Sequence, residues 1–199
     1  MNSPPFRPAA RGPSMPDAPQ DDPLRILIET EQLAARVAEL AAEVREATGG
    51  KPLTVLGVMT GSLVLMADLI RLLDMPLKVG VMQARSYRGT ATTAGDLQLN
   101  LDMMPQIAGQ DVLVVDDIFD TGHTLENVLA SVRCEGPNSV RSLVLLSKRE
   151  RHEVAFAPDF VGFDIPNEFV VGYGLDYLDL YRNLPYVAAL EPHEIAAHA

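Results

Sequence analysis

Short apolar runs alternate with stretches of helical spacing from about residue 24 onward. Residues 53–59 form a continuous apolar run, which is typical of a strand buried on both faces of a sheet. Further strands are predicted at residues 77–84, 111–115 and 140–146, and helices at residues 63–73 and 125–134. Strands that alternate with helices indicate a central parallel sheet flanked by helices. The predicted fold class is therefore α/β.

Shorter elements are predicted at both ends of this region. Residues 24–28 can form a strand, and Thr30 is predicted to cap the helix that follows. That helix ends at Gly49-Gly50, and its apolar stripe is formed by Leu33, Val37, Leu40, Ala41 and Val44. Short strands are also predicted near residues 160–163 and 169–171. The polar segment 85–98 has almost no large apolar residue, so we predict a mobile loop or hairpin there.

The first 23 residues have a different composition from the rest of the chain. They contain seven of the 15 prolines and little apolar material between them. Such a segment cannot bury enough surface to offset the entropy of ordering it. We therefore predict a disordered tail at residues 1–23 and one domain at residues 24–199. The overall balance of 47% hydrophobic and 22% charged residues is ordinary for a globular domain.

Charge and cysteine content exclude several classes of function. The net charge of −11 argues against a basic surface that binds nucleic acid. The single cysteine, Cys134, fits a reducing compartment, and the four histidines show no metal-ligand spacing. No apolar run reaches the length of a membrane span, and the amino terminus lacks the apolar core of a secretory signal. We expect a cytoplasmic protein with no membrane and no nucleic-acid partner.

The most informative segment is residues 112–125, with the sequence VLVVDDIFDTGHTL. A predicted strand ends in Asp116 and Asp117, a third carboxylate follows, and a turn of small residues opens a helix. Ligands of open α/β sheets bind beyond the carboxyl ends of the strands, and a helix amino terminus favours phosphate. Carboxylates repel a neighbouring phosphate, so these aspartates are expected to bind other groups. Vicinal hydroxyls and a hard divalent cation are suitable ligands for them. The pattern indicates a site for a sugar phosphate and magnesium.

Less specific interpretations of the same residues stay open. A strand followed by two aspartates also occurs in phosphoacceptor receiver domains, and any acidic residue can simply cap a helix. A P-loop of the Gly-x4-Gly-Lys-Ser/Thr type is absent, and no Gly-x-Gly-x-x-Gly follows a strand. The two commonest nucleotide-binding motifs therefore do not explain the segment.

The whole fourteen-residue pattern resembles the 5-phosphoribosyl-1-pyrophosphate (PRPP) motif of type I phosphoribosyltransferases. Residues 57–62 resemble the pyrophosphate loop of that family, and Ser86-Tyr87 resembles its catalytic lid. Further segments resemble the purine-binding end of hypoxanthine-guanine phosphoribosyltransferases, namely residues 147–149, 158–166, 169–177 and 181–182. The resemblance covers about residues 24–191. It implies the type I phosphoribosyltransferase fold, with a small hood built from both chain ends and a flexible lid loop.

The resemblance also implies a reaction, in which a 6-oxopurine and PRPP give a nucleoside monophosphate and pyrophosphate with Mg²⁺ as cofactor. It implies that Asp120 is the general base at purine N7. The PRPP-binding residues would be Asp116, Asp117, Thr121, Gly122, His123, Thr124, Thr60, Gly61 and Arg182, with Ser86 and Tyr87 in the lid. The purine-binding residues would be Lys148, which donates to O6, Phe169, which stacks on the ring, Val170, which offers its main chain, and Asp176. The metal ligands would be Asp116, Asp117 and, for a second magnesium, Asp176.

Each role has a plainer alternative. Asp120 could be a helix cap, Lys148 a solvated strand end, Phe169 a core residue and Tyr87 part of a surface turn. Thr60 and His123 stand where relatives often have lysine. A non-catalytic paralogue or an RNA-binding regulator on the same fold therefore remains the alternative function. The resemblance also implies a homodimer or homotetramer, and it leaves the preference among hypoxanthine, guanine and xanthine open.

Overall fold

A six-stranded sheet lies at the centre of the computed structural model, which describes residues 24–86 and 97–191. The predicted disordered tail, residues 1–23, lies outside the described residues, as do residues 192–199. In chain order, the elements are β1 (Arg25–Ile28), α1 (Thr30–Thr48), β2 (Leu53–Met59), α2 (Leu63–Leu72), β3 (Leu77–Ser86), β4 (Leu97–Asn100), β5 (Asp111–Phe119), α3 (His123–Cys134), β6 (Ser139–Ser147), a short 3-10 turn (Arg149–Arg151), β7 (Phe160–Asp164), β8 (Val170–Val171) and β9 (Val187–Ala189).

The central sheet has the strand order β4-β3-β2-β5-β6-β7. Strands β3, β2, β5, β6 and β7 run parallel, and β4 pairs with β3 in the antiparallel direction. Strand β5 lies in the middle of the parallel set. The carboxyl ends of the parallel strands therefore meet at one edge around the end of β5, which is where open α/β sheets bind ligands.

Helices cover both faces of this sheet, as the apolar pattern predicted. Alternate residues of a strand point to opposite faces. Leu113 and Val115 of β5 pack on the side of α1 and α2, whereas Val112 and Val114 pack on the side of α3. The buried face of α1 is formed by the predicted stripe of Leu33, Val37, Leu40, Ala41 and Val44. Burying a leucine or valine side chain contributes roughly 1.5–3 kcal/mol. The apolar clusters on the two faces of the sheet therefore supply much of the stability of the fold.

The cap of α1 differs from the prediction. The extended residue before the helix is Glu29, whereas Thr30 is already helical. Glu29 and Gln32 form a capping box, in which the Glu29 amide donates to the Gln32 side chain at 2.9 Å. Glu29 therefore caps the helix in place of Thr30. At the other end the prediction is confirmed, because α1 stops at Gly49, whose φ of 63° is left-handed.

Strand β5 is longer than its apolar run. It continues through Asp116 and Asp117 to Phe119, because the ladder to β6 runs on to the pairs Ile118–Leu146 and Phe119–Ser147. The two aspartates therefore belong to the strand and do not follow it. The structure also adds β4 and β9, which were not predicted as strands. Strand β4 pairs with β3, and Ser86 lies opposite Leu97; the rest of the predicted polar loop, residues 87–96, lies outside the described residues.

A second, three-stranded sheet has the order β1-β9-β8. Arg25 of β1 lies opposite Ala189 of β9, and Ala189 also lies opposite Val170 of β8. The hood is thus built from both ends of the described chain, as the resemblance implied. Within the described ranges, no helix combines the length and the apolar character that crossing a membrane requires.

Candidate active site

The carboxyl end of β5 carries the acidic pair Asp116 and Asp117. The side chain of Asp116 is buried, with 5% of the residue's surface exposed. The amide of Asp117 donates to Asp116 Oδ1 at 3.0 Å, and the amide of Ile118 donates to Asp117 Oδ1 at 2.9 Å. These short-range bonds turn the carboxylates back along the backbone and fix their orientation.

Burial disfavours the charged form of both carboxyl groups. It raises the pKa of Asp116 well above its ordinary value, and the negative charge of Asp117 raises it further. Burial also raises the pKa of Asp117, against the opposing effects of hydrogen bonds and of the Arg182 charge. A divalent cation would compensate this pair, and carboxylate oxygens are the ligands that Mg²⁺ prefers. The residues therefore fit a magnesium ion.

The protein ligands for such an ion are few. In the described part of the chain, no group of three or more His, Cys, Asp or Glu side chains converges to hold a metal. Mg²⁺ typically takes one or two carboxylates and completes its shell with water and substrate oxygens. The arrangement at Asp116 and Asp117 matches that pattern.

The small-residue turn after β5 leads directly into α3. Gly122 is the N-cap residue and has a φ of 95°, and a Cβ there would lie 2.3 Å from a methyl group of Val154. Only glycine fits this position. Because Gly122 caps the helix, the alternative that Asp120 is the cap is wrong. Thr121, Gly122 and Thr124 line the adjacent cleft, where the positive end of the α3 dipole favours a phosphate.

His123 lies at the same turn but is oriented differently. Its Nε2 is 2.8 Å from Glu153 Oε2, and more than half of its side chain is exposed. The ring is not among the groups that line the cleft. Any contact of residue 123 with a phosphate would therefore come from its backbone amide.

The cleft itself has a volume of about 290 Å³ and lies between the end of β5 and the loop that follows β2. Thr60 and Gly61 of that loop line it, and the Met59–Thr60 peptide bond is cis. On the other side, Arg182 donates to the Gly174 carbonyl at 2.7 Å and pairs with Asp176 Oδ1 at 2.7 Å. The cleft is therefore lined both by the acidic pair Asp116 and Asp117 and by the cationic side chain of Arg182.

A cavity of about 220 Å³ adjoins this cleft. The two spaces share Asp117, Ile118, Asp120 and Asp176 as common lining. The remaining walls of the second cavity are more apolar and come from Lys148, Phe169, Val170 and Leu175. One space thus suits a polyanion and its metal, and the other suits a flat ring with polar edges.

Lys148 is not the solvated strand end that its sequence position allowed. It is only 8% exposed, and its Nζ lies 3.8 Å from Asp120 Oδ2. Burial lowers the pKa of Lys148 and the charge of Arg151 lowers it further, whereas Asp120 opposes both effects. A buried ammonium beside one carboxylate is available to donate to a ligand oxygen.

Phe169 is exposed over 43% of its surface, so it is not a core residue. Its ring contacts Tyr177 edge to face, with the ring centres 5.4 Å apart. Phe169 also lines the second cavity, so its exposed ring is placed where it could stack on a ligand. Val170 follows in β8 and is buried, which leaves its backbone as the part that can meet a ligand edge.

Two predicted site residues lie at the limit of the described structure. Ser86 is the last residue of β3, and Tyr87 lies outside the described residues. The lid therefore stays a prediction.

One further residue at the site was not found from the sequence. Arg151 Nε lies 2.5 Å from Asp120 Oδ1. The two residues are 31 positions apart, and Arg151 belongs to a charged run that resembles an ordinary solvated surface. Only the register of β5 against β6 could have indicated the contact, because it places the turn after β6 next to the end of β5.

The fold and the site together define a class of protein. A parallel sheet whose central strand ends in an acidic pair, with a phosphate-type turn and a ring-sized cavity beside it, is the arrangement of a phosphoribosyltransferase. In agreement, the family model of the phosphoribosyl transferase domain matches residues 26–178.

Individual relatives narrow this class. The hypoxanthine-guanine phosphoribosyltransferase of Staphylococcus aureus strain Mu50 is 38% identical over 172 residues, which cover 86% of this chain and 96% of that protein. A crystal structure of a hypoxanthine-guanine phosphoribosyltransferase from Bacillus anthracis is 37% identical, with a TM-score of 0.80 over 85% of this chain and 100% of that one. The Trypanosoma cruzi hypoxanthine phosphoribosyl transferase, studied for how its C-terminal region affects oligomeric state and activity, is 34% identical with a TM-score of 0.83 over 90% and 98% of the chains. The chain belongs to the hypoxanthine-guanine phosphoribosyltransferase family.

Proposed function

We propose that this enzyme transfers the 5-phosphoribosyl group of PRPP to hypoxanthine or guanine, which yields IMP or GMP and pyrophosphate in purine salvage. The observation that carries the proposal is the position of Asp120. Its carboxylate lies on the common wall of the polar cleft and the more apolar cavity, with buried Lys148 beside it. A group at this boundary can serve the step that joins a ribose to a base.

The chemistry follows from that position. Purine N9 attacks C1 of the ribose while the bond from C1 to the pyrophosphate oxygen breaks. The proton on N7 passes to Asp120, which acts as the general base. The transition state resembles a ribosyl oxocarbenium ion, as in glycoside hydrolysis. Pyrophosphate leaves as an anion, and the nucleotide leaves with the new bond between N9 and C1.

The polar cleft is the proposed PRPP site. The turn at Thr121, Gly122, His123 and Thr124 holds the 5-phosphate, chiefly through backbone amides and the α3 dipole. Asp116 and Asp117 face the ribose hydroxyls and the magnesium shell. Thr60, Gly61 and Arg182 contact pyrophosphate, and Asp176 is the proposed ligand of a second magnesium. When bound, Mg²⁺ supplies the positive charge that a buried acidic pair and a polyanion both need.

The adjoining cavity is the proposed purine site. Lys148 donates to O6, Phe169 stacks on the ring, and the backbone of Val170 meets the ring edge. An ammonium that donates to O6 favours 6-oxopurines over adenine, whose amino group at that position cannot accept in the same way. The lid formed by Ser86 and Tyr87 is proposed to close over the cleft and exclude water.

The proposal extends to the oligomeric state and the cellular compartment of the enzyme. We propose a homodimer or homotetramer in the cytoplasm, supported by the family to which the chain belongs. The net charge of −11 opposes an RNA-binding role. A non-catalytic role rests on the departures at Thr60 and His123 alone.

One assay tests the proposal. The purified enzyme, Mg²⁺ and PRPP are incubated separately with hypoxanthine, guanine, xanthine and adenine, and nucleotide and pyrophosphate are quantified. We expect IMP and GMP in equal amount to pyrophosphate, with adenine inert. The Asp120→Asn variant keeps the shape but cannot accept the proton, so its kcat should fall by about 10²–10⁴ while PRPP still binds. No product from any purine, or a loss below about fivefold in Asp120→Asn with chemistry rate-limiting, would overturn the assignment.

A further inference from the structure

Asp120 is held by two cations through different oxygens. Arg151 Nε contacts Oδ1 at 2.5 Å, whereas Lys148 Nζ is nearest to Oδ2, at 3.8 Å. Lys148 lines the purine cavity, but Arg151 is not among the described residues that line either the cleft or the cavity. The two cations therefore have different access to a ligand, and only Lys148 is placed to meet one directly.

The segment that carries Arg151 is fixed to the backbone on both sides of Asp120. The Lys148 amide donates to the Phe119 carbonyl at 2.9 Å, and the Glu153 amide donates to the Thr121 carbonyl at 2.9 Å. Between these two bonds, the Arg151 amide closes the 3-10 turn on the Lys148 carbonyl at 2.8 Å. Asp120 and Arg151 thus sit at the centres of two short segments that are joined at both ends.

A side-chain contact reinforces this connection. Glu153 pairs through its carboxylate with His123, at the start of α3. The turn proposed to bind the 5-phosphate is therefore connected to the turn that carries Arg151 by both backbone and side-chain contacts. The ion pair between Arg151 and Asp120 is half exposed, so its charge attraction alone contributes little to stability. Its geometry matters more than its energy.

We propose that Arg151 is a positioning residue for the general base: it holds Oδ1 of Asp120 so that Oδ2 stays directed at the purine proton. This inference rests on the proposed function. When Lys148 donates to O6 of the bound purine, Arg151 stays as the fixed partner of the carboxylate. Because a carboxylate that is free to rotate spends less time in the reactive orientation, losing Arg151 should slow the proton-transfer step and spare PRPP binding.

The variants follow from the turn itself. Arg151→Gln removes the charge and the Nε donor, and Arg151→Lys keeps the charge but not the planar fork. Arg149→Gln is the matched control, because Arg149 lies in the same turn, is also an exposed arginine in an ion pair, and contacts Asp164 and not Asp120. Each variant is compared with the natural enzyme by single-turnover rate, by PRPP affinity without base, and by Tm.

We expect Arg151→Gln to lower the single-turnover rate by about 10–100-fold, with PRPP affinity within about twofold of the natural enzyme. Arg151→Lys should recover part of the rate, and Arg149→Gln should match the natural enzyme. In an Asp120→Asn background, Arg151→Gln should change the residual rate by less than about twofold, because a positioning residue acts only through the group it positions.

Three outcomes would overturn the inference. They are a rate for Arg151→Gln equal to that of Arg149→Gln, an equal loss in the Asp120→Asn background, or a loss of PRPP affinity as large as the loss of rate. None of these touches the proposed function, which fails only if the natural enzyme makes no nucleotide or if Asp120→Asn loses less than about fivefold in kcat with chemistry rate-limiting. If Arg151→Gln proves unstable, the partial recovery expected of Arg151→Lys decides the question alone.

Discussion

The backbone of Gly61 lies against the carboxylate of Asp117. A Cβ at residue 61 would lie 1.7 Å from Asp117 Oδ2. The opposite side is closed as well, because a Cβ at Gly174 would lie 2.1 Å from the Gly61 carbonyl oxygen. The loop after β2 is therefore packed between the acidic pair and the segment that carries Arg182. Three parts of the proposed PRPP site meet at a single glycine.

Gly61→Ala should therefore damage the site without unfolding the protein. The new methyl group has to displace either Asp117 or the loop, and a shift of about 1 Å at a reacting centre can cost about 100-fold in rate. We expect kcat/KM for PRPP to fall by about that factor. Gly109→Ala is the control: its Cβ would meet nothing within 4 Å, so its φ of 69° costs only stability. A Gly61→Ala enzyme with natural kinetics would contradict the packing described.

Lys148→Met should weaken the binding of 6-oxopurines. It keeps most of the apolar stem but removes the donor proposed for O6, and a hydrogen bond to a charged group is worth about 1.5–3 kcal/mol. KM for hypoxanthine and for guanine should rise about 10–150-fold. PRPP affinity, measured by titration without base, should not change. An equal loss of PRPP affinity would make Lys148 a structural residue.

Asp116→Asn should stabilise the protein while it inactivates the enzyme. Because burial raises the pKa of Asp116 in the folded state, the unfolded chain ionises first as the pH rises. Asp116 therefore costs no stability below about pH 4, where both states are protonated, and its cost grows as the pH climbs through the raised pKa. With a chelator at neutral pH, the Tm of Asp116→Asn should exceed that of the natural enzyme by a few degrees.

The control for this prediction has the opposite sign. Hydrogen bonds from Ser139 and Asn138 lower the pKa of Asp111, so its contribution to stability is present above the ordinary pKa and is lost on acidification. Asp111→Asn should therefore lower the Tm at neutral pH. Thermal scans of Asp116→Asn between about pH 4 and pH 8, and of Asp111→Asn between about pH 2 and pH 5, check the two slopes. A lower Tm for Asp116→Asn than for the natural enzyme, both measured with the chelator, would show that the buried carboxylate does not destabilise the folded protein.

Thr60→Lys should have little effect on PRPP binding. We expect the loop of Thr60 and Gly61 to bind pyrophosphate through its backbone, because Gly61 lies against Asp117 and no lysine stands in the loop. Steady-state kinetics should give a KM for PRPP within about tenfold of the natural value, since one exposed charge contributes about 1 kcal/mol or less. A gain of several orders of magnitude would instead mark the natural site as weakened and favour a non-catalytic role.

The sequence predicted best those elements whose pattern is repeated and local. The bounds of β2 and the buried stripe of α1 match, because each is set by many apolar side chains acting in one direction. Strand β5 was predicted too short because Asp116 and Asp117 interrupt its apolar run. Pairing with β6 continues past them, and a functional site is where local pattern and tertiary structure are expected to disagree.

The site was predicted only as far as its motif is contiguous. Asp116, Asp117 and the turn at Gly122 come from one segment, and the structure brings them together as expected. Arg151 reaches Asp120 through strand register and two backbone bonds, none of which leaves a local signal in the sequence. The contact between the His123 ring and Glu153 could not be predicted for the same reason, because the two residues lie 30 positions apart in the sequence.

The closure of the hood by both chain ends has a consequence for biosynthesis. Arg25 hydrogen-bonds to Glu191, 166 positions further along the chain, and β9 lies between β1 and the strand that carries Val170. Contacts this distant in sequence form late, because the entropy lost on closing the intervening chain opposes them until that chain has folded. On a ribosome, the central sheet can assemble while β9 is still in the exit tunnel. We expect a nascent chain to acquire its proposed phosphate turn first and its proposed purine cavity only once β9 has left the exit tunnel.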